Sequence, residues 1–209
     1  MKFKLFLLFF LIFFGKTFSQ NKTISFYSSL INLNNSPEIS YNGPTYGGRI
    51  FSSPISNTSY GINISTRIKK NFELETGFQF TTDNFKSFYS GPLPSNTLIE
   101  APTYGNINLL TIPVKARISF LKYFFVGGSV LFDIQTQNNV TDASNNQLIN
   151  NQSGVGFAVT AGAKYDIKKR VTFFANLTKE AHSLFLFQKV NYPYKIENVF
   201  FNLGAGYRL

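Results

Sequence analysis

The sequence predicts an all-β chain, an eight-stranded antiparallel up-and-down transmembrane β-barrel. Three observations predict it. Apolar and polar side chains alternate with period two along most of the chain, the pattern of strands with one apolar face. The connections between those strands alternate between tight and long. Charged residues make up only 14% of the 209 and aromatics reach 17%, with 25 Phe and no Trp, whereas soluble domains carry about 25% charge. So many apolar side chains need a destination other than one compact core.

Met1–Ser19 reads as an export leader to be excluded from the fold. Lys2 and Lys4 form a basic start, Leu5 to Phe14 is an unbroken apolar run, and Thr17 and Ser19 suit cleavage before Gln20. The run has half the ~20 residues of a spanning helix. No other stretch approaches that length, so membrane residence rests on strands. Residues 20–209 then form one barrel domain.

The alternation is clearest in four segments. Phe72–Thr82 sets Phe72, Leu74, Thr76, Phe78 and Phe80 against Glu73, Glu75, Gly77, Gln79 and Thr81. Leu110–Phe120 sets Leu110, Ile112, Val114, Ala116 and Ile118 against Thr111, Pro113, Lys115, Arg117 and Ser119. Val155–Ile167 and Val199–Leu209 repeat the pattern, and Tyr60–Ile68, Phe124–Gln135 and Val171–Thr178 do so less cleanly. The eighth strand is expected at Lys22–Leu33, with Thr45–Ser53 as the alternative. Pro113 cannot donate to a ladder, so a bulge or local opening is expected there. Lys69–Asn71, Leu121–Lys122 and Lys168–Arg170 are tight turns; Asn34–Asn57, Asp83–Gly105, Thr136–Gln152 and Leu186–Lys195 are long polar loops. In an outer membrane the turns would be periplasmic and the loops external.

Alternation alone does not say which face points outward. A lipocalin-like barrel with an apolar pocket is the soluble rival. Three features oppose it: polar faces rich in Gly and small residues, no Gly-x-Trp signature, and aromatics near strand ends (Tyr60, Phe72, Phe120, Tyr123, Phe124, Tyr165, Tyr207) as in interfacial girdles. With the polar face inward, the lumen receives Arg67, Lys115, Arg117, Lys164 and Arg208 against Glu73, Glu75, Asp133, Asp166 and Glu180. Equal numbers suit a closed, ion-paired interior, because unpaired buried charge is costly. The net charge is +10. Lys69, Lys70, Lys122, Lys168, Lys169 and Arg170 lie at the tight turns, where lipid phosphates are the expected partners. No basic platform interleaved with aromatics suggests nucleic acid.

The run Leu110-Thr-Ile-Pro113-Val-Lys115, the later Phe125-Val-Gly-Gly128 and the leader end Phe18-Ser19-Gln20 resemble the outer-membrane β-barrel domain family abundant in Bacteroidetes, which includes PorT-like proteins. The resemblance implies outer-membrane residence after export and, as one version, an accessory role in a PorT-type secretion apparatus. Asn202, Gly204, Tyr207 and Leu209 are similar to the C-terminal signal read by the barrel assembly machinery, with Leu209 where Phe is usual.

The lack of Cys removes disulfides and thiolate metal sites, and no His/Cys cluster offers a transition-metal site. His182 is the single histidine, with Glu180 and Thr178 on its face and Ser183 expected on the opposite one. A hydrolase needs nucleophile, base and orienter in reach of one another. The His–Ser spacing of lipid deacylases is absent, so no catalytic residue, cofactor or metal is expected. The reading is a non-enzymatic barrel working through its loops or envelope-protein contacts; a lipid-modifying enzyme using His182, or a narrow pore, is the alternative.

Overall fold

A computed structural model describes residues 22–34, 39–42, 49–90, 103–141, 149–167, 170–188 and 194–209. The leader lies outside them, as do Lys168, Lys169 and parts of all four expected loops. The strands are β1 (Lys22–Asn34), β2 (Ile39–Asn42), β3 (Arg49–Lys69), β4 (Phe72–Ser90), β5 (Thr103–Phe120), β6 (Phe124–Asn138), β7 (Gly154–Ile167), β8 (Val171–Leu186) and β9 (Ile196–Arg208). They form one antiparallel sheet in which each of β3 to β9 pairs with its sequence neighbour. β1 closes the ring by pairing with both β9 and β3. Eight strands make the barrel, and β2 adds only a short edge to the upper part of β3.

Lys22–Asn34 is thus the eighth strand, although its own alternation is weak. Pairing on both sides supplies what the pattern lacks. The alternative, Thr45–Ser53, is corrected: Arg49–Ser53 is the start of β3. The expected long loops are also shorter than polarity suggested. β3 has 21 residues, β4 has 19 and β5 has 18, well beyond the ~9–11 needed to cross a membrane. The β3–β4 ladder runs from Lys69↔Phe72 to Arg49↔Ser90. Sequence polarity read those upper halves as loop because both the apolar alternation and its outward direction change there.

The tight turns fall where expected. Lys70 and Asn71 turn β3 into β4. Leu121 and Lys122 take left-handed φ values of 46° and 68°, a conformation that non-glycine residues adopt in tight hairpins at a steric cost. Around Pro113 the β4–β5 pairing lapses at Gly77–Phe78 and resumes in the same register. Pro113 therefore opens the ladder without a bulge.

Side-chain direction decides between the two barrels. Phe78 is 55% exposed and Val159 62%, whereas Gln79 is 4% and Thr160 5%. The apolar face looks outward and the polar face fills the lumen, the reverse of a lipocalin-like barrel. Outside, Phe120 stacks on Phe124 and Tyr123 on Tyr165, each with ring centroids 6.1 Å apart. Those pairs lie beside the tight turns. At the other edge of the apolar belt Tyr60 meets Phe80 at 5.5 Å.

Candidate functional site: the barrel interior

Inward-facing residues occur every second position, so the interior is built in layers from the tight-turn end to the loop end. The first layers hold most of the charge. Glu73 accepts from three cations: Arg67 Nη2 at 3.3 Å, Arg117 Nη2 at 2.5 Å and Lys164 Nζ at 2.9 Å. Glu75 receives Lys115 Nζ at 3.0 Å and Arg117 Nη1 at 3.3 Å. Arg208 Nη2 lies 3.3 Å from Asp166 at the rim. Cross-strand register explains the convergence: Arg67 and Arg117 both sit opposite Glu73, and Lys115 sits opposite Glu75. Lys164 reaches Glu73 across the lumen from β7.

Inward aromatics lie over inward glycines. A Cβ on Gly61 would meet the Tyr27 ring, one on Gly162 the Phe125 ring, and one on Gly204 the Phe174 ring. The Gly-rich polar faces are therefore the seats of bulky interior side chains. Phe125 in turn carries Arg117, whose guanidinium carbon lies 4.8 Å from the ring centroid, a favourable cation–π placement.

Above this layer an uninterrupted hydrogen-bond chain crosses the lumen. The Tyr27 hydroxyl donates to Gln79 Oε1 at 2.7 Å, and Gln79 Nε2 donates to Glu180 Oε2 at 2.7 Å. Glu180 Oε2 is 3.0 Å from His182 Nε2, and His182 Nδ1 is 3.0 Å from Asp133 Oδ1. Thr111 donates to that same Asp133 oxygen at 2.7 Å. A second branch runs from Asn57 Nδ2 to Asn198 Oδ1 at 2.6 Å, and from Asn198 Nδ2 to Asp83 Oδ1 at 3.0 Å.

Eight of the ten expected lumen residues enter lysine or arginine ion pairs, and Asp133 and Glu180 meet a histidine instead. Among the described residues Asp133 and Glu180 pair with no lysine or arginine; both hold His182, the Glu180 contact being the one expected from their shared strand face and Asp133 the addition. The interior is consequently segregated by sign. Toward the tight turns Arg67, Arg117, Lys115 and Lys164 outnumber Glu73 and Glu75, whereas Asp83, Asp133 and Glu180 gather around one histidine farther up. Sequence position concealed this, because His182 and Asp133 are 49 residues apart.

Ser183 is a second correction. Parity puts it on the lipid face, yet it is buried, with φ of 58°. Gly156 of β7 faces His182, Ser183 and Leu184 of β8, because the register shifts between Val155↔Phe185 and Phe157↔Ala181. This bulge turns Ser183 inward, where its backbone N–H donates to Asp133 Oδ2 at 3.3 Å and its Oγ to the Gln152 carbonyl at 2.7 Å. The hydroxyl is engaged by Gln152, and no hydrogen bond joins it to His182 among the described residues. Both His182 ring nitrogens face carboxylates and the ring is fully buried, so it presents no free base to a substrate. No metal-ligating group of three or more His, Cys, Asp or Glu occurs among the described residues.

At the loop end the lumen is closed by apolar side chains: Phe85, Ile107, Leu109, Val140, Ile149, Tyr194 and Ile196 form one buried cluster. Small spaces remain below it, two of them lined by described residues. One of about 20 Å³ lies mid-barrel, between Tyr27, Gln79, Arg117 and Glu180. The other, about 30 Å³, is a recess by the tight turns, between Ser25, Ser65, Arg67, Arg117, Lys164 and Arg208. Each holds only one or two waters.

No family model matches this chain, and no curated protein matches it. The structure is similar to the outer membrane protein OprG from Pseudomonas aeruginosa, with a TM-score of 0.55 and 11% identity over 91% of this chain and 96% of that one. It is also similar to Ail, the attachment invasion locus protein of Yersinia pestis, solved with the heparin analogue sucrose octasulfate. That match has a TM-score of 0.49 and 10% identity over 91% of this chain and 100% of the other. At such identity the OprG likeness speaks to the fold: a closed antiparallel barrel of eight strands.

Proposed function

We propose that the chain is an integral, non-enzymatic outer-membrane barrel that does not conduct. It would present its loop-end extension and loops to external or envelope partners. The observation that carries this reading is the outward apolar belt: a surface of Phe, Ile, Val and Leu around the whole ring is stable against acyl chains and costly in water. The filled lumen and its apolar cap favour a structural interior over a pore. The buried, doubly engaged His182 favours a structural histidine over a catalytic one. The OprG likeness is consistent with outer-membrane residence.

Four finer readings go with this one: removal of Met1–Ser19 on export, recognition of Asn202, Gly204, Tyr207 and Leu209 by the assembly machinery, lipid phosphates beside the turn lysines, and an accessory role in a PorT-type apparatus. The last rests only on sequence resemblance.

Labelling tests the central reading, because the chain contains no Cys. Single Cys residues replacing Phe78 and Val159 should be quenched by a lipid-borne probe, and those replacing Gln79 and Thr160 should be shielded. Purified protein that stays soluble without detergent, or the inverse quenching pattern, refutes membrane residence.

A further inference from the structure

The recess beside the tight turns has more positive charge than its own carboxylates match. Its lining contains Arg67, Arg117, Lys164 and Arg208 but only Glu73 and Asp166. The excess is two positive charges, counting each side chain at its ordinary ionisation. Glu75 does not relieve this, since it already receives Lys115 as well as Arg117. Glu73 already accepts from three cations. Glu73 is thus saturated, while Arg67, Arg117 and Lys164 together carry more donors than it can accept.

An independent feature of the same recess points to a ligand. Ser25 and Ser65 line it and are each only 6% exposed. Among the described residues neither hydroxyl bonds another protein group, and neither oxygen is sealed off from the recess. A hydroxyl that opens into a recess without a protein partner is free to bond what enters it. Here two of them face a cationic wall from neighbouring strands, β1 and β3. The recess is bounded inwardly by Arg117 and Phe174, which also line the mid-barrel space. It is lined by polar side chains together with the Phe174 ring and is about 30 Å³ in volume, roughly two water positions. Two oxygens of one small anionic group fit that volume.

We propose that this recess binds a single oxyanion of the phosphate class, with Arg67 and Lys164 supplying charge and Ser25 and Ser65 donating hydroxyl hydrogen bonds. Arg117, held by Glu73, Glu75 and Phe125, forms its floor. The group could be free phosphate or the phosphate of a lipid headgroup reaching over the rim between turns bearing Lys70 and Arg170. Binding does not depend on which side of a membrane the turns face, so its failure would leave the outer-membrane reading standing.

Calorimetric titration of the folded full-length mature barrel with inorganic phosphate, in a phosphate-free nonionic detergent, tests the proposal. Saturable binding of one phosphate, weakened by added sodium chloride, is expected. The double variant Ser25→Ala/Ser65→Ala should weaken it roughly tenfold or more, as loss of hydrogen bonds to a charged group does. These hydroxyls hold nothing in the protein, so folding should be unchanged, with heat-modifiability as the check. Arg67→Gln should weaken binding comparably, Arg67→Lys less, and Lys122→Gln on the adjacent turn hardly at all. Repeating the titration in phosphatidylglycerol nanodiscs separates the sources: a free-phosphate site keeps its affinity, and a headgroup site is already filled and gives no heat. Absence of saturable phosphate binding in detergent overturns the proposal. Binding that is indifferent to both the serine pair and Arg67 does so equally.

Discussion

The lower and upper halves of the same strands obey opposite rules. In the lower half of β4, Phe72, Leu74 and Phe78 face outward and Glu73, Glu75 and Gln79 inward; in the upper half, Asn84 and Lys86 face outward and Phe85 is fully buried. β5 reverses in step, from outward Val114 and Ile118 over inward Lys115 and Arg117 to outward Asn106 and Asn108 over inward Ile107 and Leu109. In β9 outward Leu203 and inward Asn202 give way to outward Glu197 and inward Ile196. Along β4, β5 and β9 the side-chain parity carries straight on while the polarity inverts, although the β3–β4 and β5–β6 ladders shift register there, at Pro54/Ser56 and Asn108/Leu109. On the proposed membrane reading the solvent changes, not the strand: below, lipid replaces water outside and the narrow lumen must be polar enough to satisfy itself; above, water returns and the barrel buries apolar side chains like a soluble one.

Breaking either half should therefore fail for a different reason. The largest effect is expected from Glu73→Ala, which leaves Arg67, Arg117 and Lys164 facing one another. Removing one partner of a buried charge network costs about 3–5 kcal/mol, read as a drop in the denaturant midpoint of the folded form on a heat-modifiability gel. A midpoint shift below that of surface variants would mean that the lower lumen is hydrated enough to screen its charges. Next comes truncation of the apolar cap. Ile107→Ala should cost about 2–5 kcal/mol, because a cavity is left in a water-excluded cluster.

The same truncation on the lipid face sharpens the contrast. Val159→Ala should cost less than Ile107→Ala, since acyl chains fill the space a missing side chain leaves. Equal losses at the two positions would indicate that the belt around Val159 packs against protein rather than lipid. Charge discriminates as well: Phe78→Arg should cost about 2–4 kcal/mol near mid-membrane. The smallest effect belongs to Asn84→Arg on the same outward face, where water is the solvent; its stability should lie within about 0.5 kcal/mol of the parent. A large loss there would move the membrane boundary above Asn84.

Much of the lower half is legible in sequence because it repeats one signal. A strand that is apolar on one side only can be recognised without knowing its neighbours, and the tight turns between such strands confirm their order. The parity of Arg67, Glu73, Glu75, Lys115, Arg117, Lys164, Asp166 and Arg208 follows from the same alternation, so their common residence inside one barrel could be inferred. His182 and Glu180 share a face by the same logic. The upper extensions of β3, β4 and β5 were not legible: Asn, Ser and Thr outside with scattered apolar residues inside reads as loop unless the pairing partner is known. β1 illustrates the limit from the other side, since its weak pattern becomes a strand only through ladders to β3 and β9.

Taken alone, the sequence determined the period, the tight turns and the side of each strand on which its charges lie, because those are properties of consecutive residues. Tertiary structure decided the rest. It decided that the apolar face looks outward, since alternation is symmetric between the two choices. It brought Asp133 to His182 across 49 residues and so sorted the interior charges by sign, which depends on the register between strands. It also turned Ser183 inward, because a bulge shifts parity by a displacement that no single strand records.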